Sequence, residues 1–220
     1  MVYPHLIRTA AYKVLEWSES IITENSLQLV ARLSSRVFLG EDLCRNEAWL
    51  QLSKDYTVNA FKTSLQMSLI PSTLRRLAPW FSKDAKVVLQ LYNNARAILA
   101  PVVKKRNQIK IEARQGKSAP VFDDMLEWLE EESHGDSYDP VTYQMFFAFA
   151  AIHTTSDLLA QSMIRFANEP GLINELRKEI IRTVGSEGLT KSGLSNLKLM
   201  DSALKETQRV KPSSYRKCPV

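Results

Sequence analysis

Two short groups of residues in this chain have types and spacings that could do chemistry. The first is His153-Thr154-Thr155, which follows the small residues Ala150 and Ala151. A hydroxyl both donates and accepts hydrogen bonds, and histidine is the side chain whose charge changes near neutral pH. A histidine next to a threonine can therefore take part in moving a proton.

Helical spacing decides which of these side chains share a face. At 100° per residue, one side of a helix here carries Phe147, Ala150, Ala151, Thr154 and Leu158. The two alanines leave a shallow notch directly before Thr154, and a flat or bulky group could lie in that notch. In the alternative, the small residues let another helix approach closely, and the threonine hydroxyls bond to the carbonyls of Ala150 and Ala151.

The second group is Glu206 and Arg209. Because they are three residues apart, both side chains emerge on one face of a helix and can form an ion pair. Without further information, such a pair is a solvent-exposed ion pair that contributes well under about 1 kcal/mol. The cysteines, Cys44 and Cys218, lie far apart, so neither a disulfide framework nor a metal site is predicted.

The first group is positioned by a long predicted helix that spans Tyr138 to Asn168. It begins at Asp139, a candidate N-cap, with Pro140 at the first helical position, and it ends before a Pro-Gly break. At 1.5 Å per residue this helix would be about 43 Å long. Because Val141 to Ile152 is apolar nearly all the way round, we expect it to be buried on all sides.

The remaining chain also favours helices, since it has few glycines and prolines and no alternating β-branched runs. The predicted helices are Pro4–Ser18, Ile22–Phe38 ending at Gly40, Asn46–Leu69, Ser82–Arg114, Phe122–Glu132, Gly171–Val184 and Ser195–Val210, with a turn over Gly185–Lys191. The residues predicted to face the core include Val37, Trp49, Phe61, Leu65, Met125, Trp128 and Leu129. We predict an all-α fold that forms a single helical domain over residues 1–220.

Charge is unevenly distributed along the chain. Ser82 to Ser118 holds nine Lys and Arg residues, whereas Phe122 to Asp139 holds eight Asp and Glu residues and no Lys or Arg. The basic segment has no interleaved aromatic stacking platform and no binding-motif pattern, so nucleic-acid binding is not predicted and a solvated face is favoured over contact with anionic lipid. No apolar run approaches the ~20 residues that span a bilayer.

Three stretches resemble the cytochrome P450 family. Ala150 to Thr155 resembles the oxygen-activation motif of the long I helix that crosses the haem, and the form AAIHTTS resembles the fungal secondary-metabolism branch. Glu206-Thr207-Gln208-Arg209 resembles the Glu-x-x-Arg motif of the K helix, and Ala31 to Leu50 resembles the region from helix E to helix F. The resemblance covers about helix D to helix K.

This resemblance implies a haem-dependent monooxygenase that oxidises an apolar small molecule, for example a terpenoid. Thr154 would hold the water that delivers protons, and His153 would replace the usual acid. Ala150 and Ala151 would leave room for oxygen at the haem, and the pair of Glu206 and Arg209 would lie beneath the cofactor. The family also implies an NADPH-cytochrome P450 reductase as partner and the endoplasmic reticulum membrane as location.

The sequence departs from the family in two places. The Phe-x-x-Gly-x-x-x-Cys-x-Gly loop that supplies the haem thiolate is absent, and Cys218 in SSYRKCPV does not match it. The helix C motif Trp-x-x-x-Arg has no counterpart either. We therefore expect a partial P450 fold, truncated at both ends. Two alternatives are a cytoplasmic, non-catalytic helical protein without haem and a peripheral membrane protein that uses Pro71 to Phe81 and the basic helix.

Overall fold

A computed structural model describes residues 21–68, 82–118 and 120–212, together with residues 19, 70, 71 and 73. Throughout these residues the secondary structure is helical and no strand occurs, which confirms the all-α class. The predictions for Pro4–Ser18, for most of Pro71–Phe81 and for Cys218 lie outside the described residues. Among the described helices, none is both long enough and apolar enough to cross a membrane.

The described residues form eight helices in chain order. They are α1 (Ile22–Leu39), α2 (Glu47–Ser68), α3 (Lys83–Arg114), α4 (Met125–Glu132), α5 (Pro140–Ala167), α6 (Pro170–Glu187), α7 (Lys191–Ser195) and α8 (Lys198–Val210). They belong to two compact units. The first unit is Leu27–Thr155; the second consists of Met1–Ser26 and Ser156–Val220, as far as these are described. The long helix α5 belongs to both units.

The core of the first unit lies where α1, α2, α3 and α5 meet. Its buried side chains include Trp49 on α2, Leu99 on α3 and Met145 on α5, each at most 2% exposed. The Trp49 indole donates a hydrogen bond to the Ser35 hydroxyl at 3.2 Å, so the largest core side chain is also satisfied as a donor. Burial of these apolar groups fixes one face of α5.

Helix ends agree with the capping residues in the sequence. Ser82 and Thr190 accept backbone N–H bonds at the starts of α3 and α7. Gly40 ends α1 with a φ of +74°, a backbone conformation that glycine adopts without a steric clash because it has no Cβ. At the start of α5, Asp139 Oδ1 accepts the Val141 N–H at 3.2 Å, which confirms the predicted N-cap.

Several residues predicted to face the core are exposed instead. Val37 is 48% exposed, Phe61 58%, Leu65 57% and Trp128 44%. On α2 the buried residues lie between Trp49 and Thr57, in the N-terminal half of the helix. Helical spacing identifies an apolar stripe, but it does not say how far along the helix the neighbouring elements reach.

Arg106 corrects the prediction of a uniformly solvated basic face on α3. Its side chain is turned inward, and the residue is buried, with 4% of its surface exposed. Both terminal nitrogens donate to the carboxylate of Asp124, at 2.8 and 2.6 Å, and Nη2 also donates to the Leu39 carbonyl at 3.1 Å. The first unit therefore contains a buried ion pair that joins α3 to the ends of two other helices.

Two boundaries near the C-terminus were also wrong. Helix α6 continues to Glu187, into the stretch predicted as a turn. The last helix begins at Lys198 rather than Ser195, because Ser195 ends the separate short helix α7. The Thr190 hydroxyl caps α7, and this local hydrogen bond sets the start of a helix too short to show a period in the sequence.

Candidate functional site

The middle of α5 has one buried side and one open side. Met145, Ala148 and Ile152 are 1–2% exposed and face the core of the first unit. On the opposite side of the helix, Ala150 and Thr154 are exposed. The expectation that Val141 to Ile152 is buried on all sides was therefore wrong.

Large aromatic residues lie on or beside the open side of α5. Phe146 is 61% exposed and Tyr143 43% exposed. The Phe146 and Phe147 rings are in edge contact, with centroids 5.7 Å apart, and Phe147 also contacts Phe38 of α1 at 5.7 Å. Among the described residues, α5 is packed from one side, and its other side presents an apolar surface.

Thr154 has the local geometry that its position in mid-helix predicts. Its hydroxyl donates to the Ala150 carbonyl at 2.6 Å, and the side chain is exposed. This bond occupies the hydroxyl proton and leaves the oxygen lone pairs able to accept. Ala151 and His153 are half-buried on the same turn. Ala150, at the start of the notch, is exposed like Thr154.

The start of α5 is fixed by a polar cluster around Asp139. Its carboxylate accepts hydrogen bonds from the Tyr92 hydroxyl, from Arg96 at 2.9 Å and from the Thr142 hydroxyl at 3.1 Å. Partial burial alone would raise the pKa of Asp139, but these bonds and the Val141 N–H together lower it below its usual value. The sequence predicted the cap and missed its partners on α3, more than forty residues earlier in the chain.

Glu206 and Arg209 lie on α8 in the second unit and form the predicted ion pair. Arg209 Nε and Nη2 each donate to a different oxygen of Glu206 at 2.7 Å. Both side chains are largely exposed, 72% for Arg209 and 54% for Glu206. The hydrogen bond from Arg209 lowers the pKa of Glu206, and the charges of Arg209 and of Arg165 on α5 act in the same direction.

The six predicted site residues thus form two groups, each described by itself. Ala150, Ala151, His153 and Thr154 share two turns of α5, and Glu206 and Arg209 share one turn of α8. Within the described ranges, no group of three or more His, Cys, Asp or Glu side chains could hold a metal ion. The α5 notch itself offers a hydroxyl and an imidazole beside an open apolar surface.

Comparison with known proteins matches nearly the whole chain to one family. The family model "Cytochrome P450" matches residues 20–219. Cytochrome P450 monooxygenase eqxH of Fusarium heterosporum is 42% identical over 94% of this chain, and cytochrome P450 monooxygenase hepE of Aspergillus oryzae is 42% identical over 90%. Cytochrome P450 monooxygenase 2 of Gibberella fujikuroi is 41% identical over 86%. The chain spans between 36% and 40% of the length of these three relatives.

Proposed function

This chain belongs to the cytochrome P450 family, and we propose from that premise that it forms part of a haem-dependent monooxygenase of fungal secondary metabolism. The observation that carries the proposal is the open notch of α5, where Ala150 and Thr154 are exposed on the side opposite the packed residues Met145, Ala148 and Ile152. A haem is flat and largely apolar, and small side chains followed by a hydroxyl suit its edge.

The residues of the α5 notch would suit one side of a haem, and neither cysteine of this chain is proposed as its iron ligand. Of the two cysteines, Cys44 is buried in the α1–α2 connection, where its Sγ donates to the Glu41 carbonyl at 3.6 Å, and Cys218 is outside the described residues. In this family bound haem supplies the oxidising chemistry, which a thiolate ligand promotes by favouring O–O cleavage. Ala150 and Ala151 would provide space for the group, and Thr154 would face it.

Thr154 would orient a water and move protons at this site. With its own proton held by the Ala150 carbonyl, the hydroxyl oxygen can accept a hydrogen bond from water. His153, one residue earlier and half-buried, would take the place of the family's acid as proton donor. The hydrogen bond of Thr154 and the half-buried position of His153 are observed, and the catalytic roles are proposed from them.

The remaining assignments concern support, substrate and partners. Glu206 and Arg209 would stabilise the region beneath the haem through their paired charges. The exposed Phe146 and half-buried Phe147 favour an apolar small-molecule substrate, and we propose a terpenoid as its class. Electrons would come from NADPH-cytochrome P450 reductase, with the whole enzyme at the endoplasmic reticulum membrane.

The decisive experiment is the reduced, carbon-monoxide-bound absorption spectrum of the protein purified from its complete reading frame. A Soret band at the thiolate position is expected, because only a cysteine-ligated haem gives it. Absence of haem would favour the non-catalytic helical protein instead. Flotation of the protein with anionic vesicles, in the absence of haem, would point to the peripheral membrane protein.

The role of Thr154 is tested separately in the haem-loaded protein. Thr154→Ala should uncouple the reaction, so that NADPH consumption continues while product per NADPH falls by about 10-fold or more, in the range of general acid–base effects. Thr155→Ala is the matched control, since Thr155 is also exposed and lies one position along the same helix. Equal coupling in the two variants would refute the assignment.

A further inference from the structure

Helix α8 begins without a cap of its own. The N-cap position is Leu197, which has no side chain able to accept a hydrogen bond. A helix leaves its first four N–H groups without partners inside the helix, and Ser, Thr, Asp or Asn usually satisfies one of them. The first turn of the helix that carries Glu206 and Arg209 therefore needs acceptors from elsewhere.

Glu179 on α6 supplies them. Its Oε1 accepts the Leu199 N–H at 2.7 Å and its Oε2 accepts the Met200 N–H at 2.9 Å, so both carboxylate oxygens are used. Glu179 is 7% exposed, although most acidic side chains lie at the surface. The bond from the Leu199 N–H lowers the pKa of Glu179, with a further contribution from Met200, and this outweighs the opposite effect of burial.

We propose that Glu179 is a positioning residue, whose carboxylate caps α8 from the neighbouring helix and thereby holds the turn that carries Glu206 and Arg209. A negative charge at a helix N-terminus is favourable because it meets the positive end of the helix dipole. Glu179 lies 20 residues before Leu199, so the two bonds join α6 to α8 and fix where α8 starts.

Because α8 is short, the hydrogen bonds at its first turn should also affect the order of Glu206 and Arg209 near its end. The helix has 13 residues, near the length at which an isolated helix is marginal in water. Its buried residue is Thr207, between Glu206 and Arg209, while Leu199 and Val210 are exposed. With little apolar burial along the helix, loss of the capped first turn should loosen the last turn as well.

This inference rests on the proposed function only for the role of the Glu206–Arg209 pair, which is to support the haem. The cap of α8 by Glu179 is a property of the chain without cofactor. Its test is amide hydrogen exchange, resolved by NMR on the full chain in the absence of haem. Whatever the exchange rates show, the carbon-monoxide spectrum decides separately whether the protein binds haem through a thiolate.

The variants keep the shape of the side chain and remove the acceptors stepwise. Glu179→Gln retains one acceptor oxygen without charge, and Glu179→Met has similar length and no strong acceptor. In Glu179→Met, exchange of the Leu199 and Met200 amides should accelerate by about 10-fold or more, with an intermediate change in Glu179→Gln. A smaller acceleration, of about threefold, is expected over residues 204–210.

Glu175→Gln is the matched control. Glu175 lies one turn earlier on α6 and forms an exposed ion pair with Lys178 at 2.8 Å, so its loss should leave α8 exchange unchanged. Unchanged exchange at Leu199 and Met200 in Glu179→Met would overturn the cap. Faster exchange there with none over residues 204–210 would overturn the positioning of Glu206 and Arg209. Because Met preserves the volume, a role in packing alone predicts no graded series.

Discussion

Two arginine–carboxylate pairs in this chain have nearly equal hydrogen bonds and opposite surroundings. Arg106 and Asp124 are joined at 2.8 and 2.6 Å, and Arg209 and Glu206 at 2.7 Å twice. The side chains of the first pair are 5% and 3% exposed, whereas those of the second are 72% and 54% exposed. Contact geometry is therefore the same, and solvent access is the difference.

The buried pair is also connected to more of the fold. The Arg106 guanidinium lies 4.5 Å from the centroid of the Phe122 ring and donates to the Leu39 carbonyl. Asp124 caps α4 by accepting the Glu127 N–H at 3.2 Å. Burial alone would lower the pKa of Arg106, but the hydrogen bonds and charge of Asp124 raise it, so the arginine stays charged in the interior.

The comparison separates structural from functional importance. The pair that resembles a family motif is exposed, and water screens its attraction, so the described fold gains little from it. The pair that resembles no motif holds three segments together in a place where either partner alone would be a buried, uncompensated charge. Substitution of the Arg106–Asp124 pair should therefore affect stability, whereas substitution of the Glu206–Arg209 pair should leave stability nearly unchanged and affect function only through the proposed support of the haem.

The largest effect is expected for Asp124→Ala. It leaves the buried Arg106 charge unpaired and removes the cap of α4, so the free energy of unfolding should fall by about 3–5 kcal/mol, measured by urea denaturation followed by circular dichroism. The control is Asp123→Ala, because Asp123 is exposed and accepts only the Trp128 indole N–H among the hydrogen bonds described for it, at 3.2 Å. Equal losses in both variants would contradict the comparison.

A double variant sharpens the same test. When Arg106→Met is added to Asp124→Ala, no buried charge remains without a partner, so part of the lost stability should return. The double variant should still be less stable than the native chain because the cap of α4 is gone. If adding Arg106→Met lowers stability further, the unpaired charge is not the main cost.

A somewhat smaller effect is expected for Gly40→Ala. A Cβ there would lie 2.5 Å from Asp124 Oδ2 and 3.3 Å from Arg106 Nη2, at a residue with φ of +74°. Backbone strain and displacement of the buried pair should together cost about 1–3 kcal/mol. Gly116→Ala is matched to it, because Gly116 has a φ of +89° and no atom within 4 Å of the added Cβ. The difference between their unfolding free energies measures the crowding at the pair.

The pair of Asp139 and Arg96 is intermediate in solvent exposure between the two pairs above. The Asp139 side chain is 38% exposed and the Arg96 side chain 56% exposed. Asp139→Asn keeps an oxygen that can cap α5 but removes the negative charge that accepts from Arg96 and Tyr92, so it should cost up to about 1 kcal/mol at pH 7. The pKa of Asp139 is lowered in the folded chain, so its stabilisation is present above the ordinary aspartate pKa of about 3.9 and is lost as pH falls through the lowered value.

The measurement is urea denaturation of the native chain and of Asp139→Asn between pH 7 and pH 3. The difference in unfolding free energy should shrink as pH falls. Asp136→Asn is the control, since Asp136 is exposed in the same connection to α5. A difference that stays constant down to pH 3 would show that ionisation of Asp139 does not contribute.

Local features of the fold could be predicted from the sequence because their causes are local. The Asp139-Pro140 start of α5, the Gly40 end of α1 and the back-bond of Thr154 each depend on residues within about one turn. The Asp124 cap was available too, because Asp124 followed three residues later by Glu127 resembles a capping box. The candidate site on α5 came from such local patterns and from the resemblance to a family.

What could not be predicted depends on residues far apart in the sequence. Arg106 was counted among the exposed basic residues because nothing within a few positions marks it as the partner of Asp124. The exposure of Phe61 and Leu65 follows from where the packing against α2 ends, and Glu179 finds its partners 20 residues later. Periodicity identifies the apolar face of a helix, but it does not identify the neighbours of that helix.

The smallest effect on stability is expected for Glu206→Gln. Both partners of this pair are exposed, so the unfolding midpoint of the chain without haem should not change measurably. Arg209→Lys should behave in the same way, although it replaces the two-pronged contact with a single point charge. If the pair instead supports the cofactor, both variants of the haem-loaded protein should lose haem faster on dilution than the native protein. A clear drop in the midpoint without haem would mean that water does not screen this pair, and the contrast with Arg106 and Asp124 would then not hold.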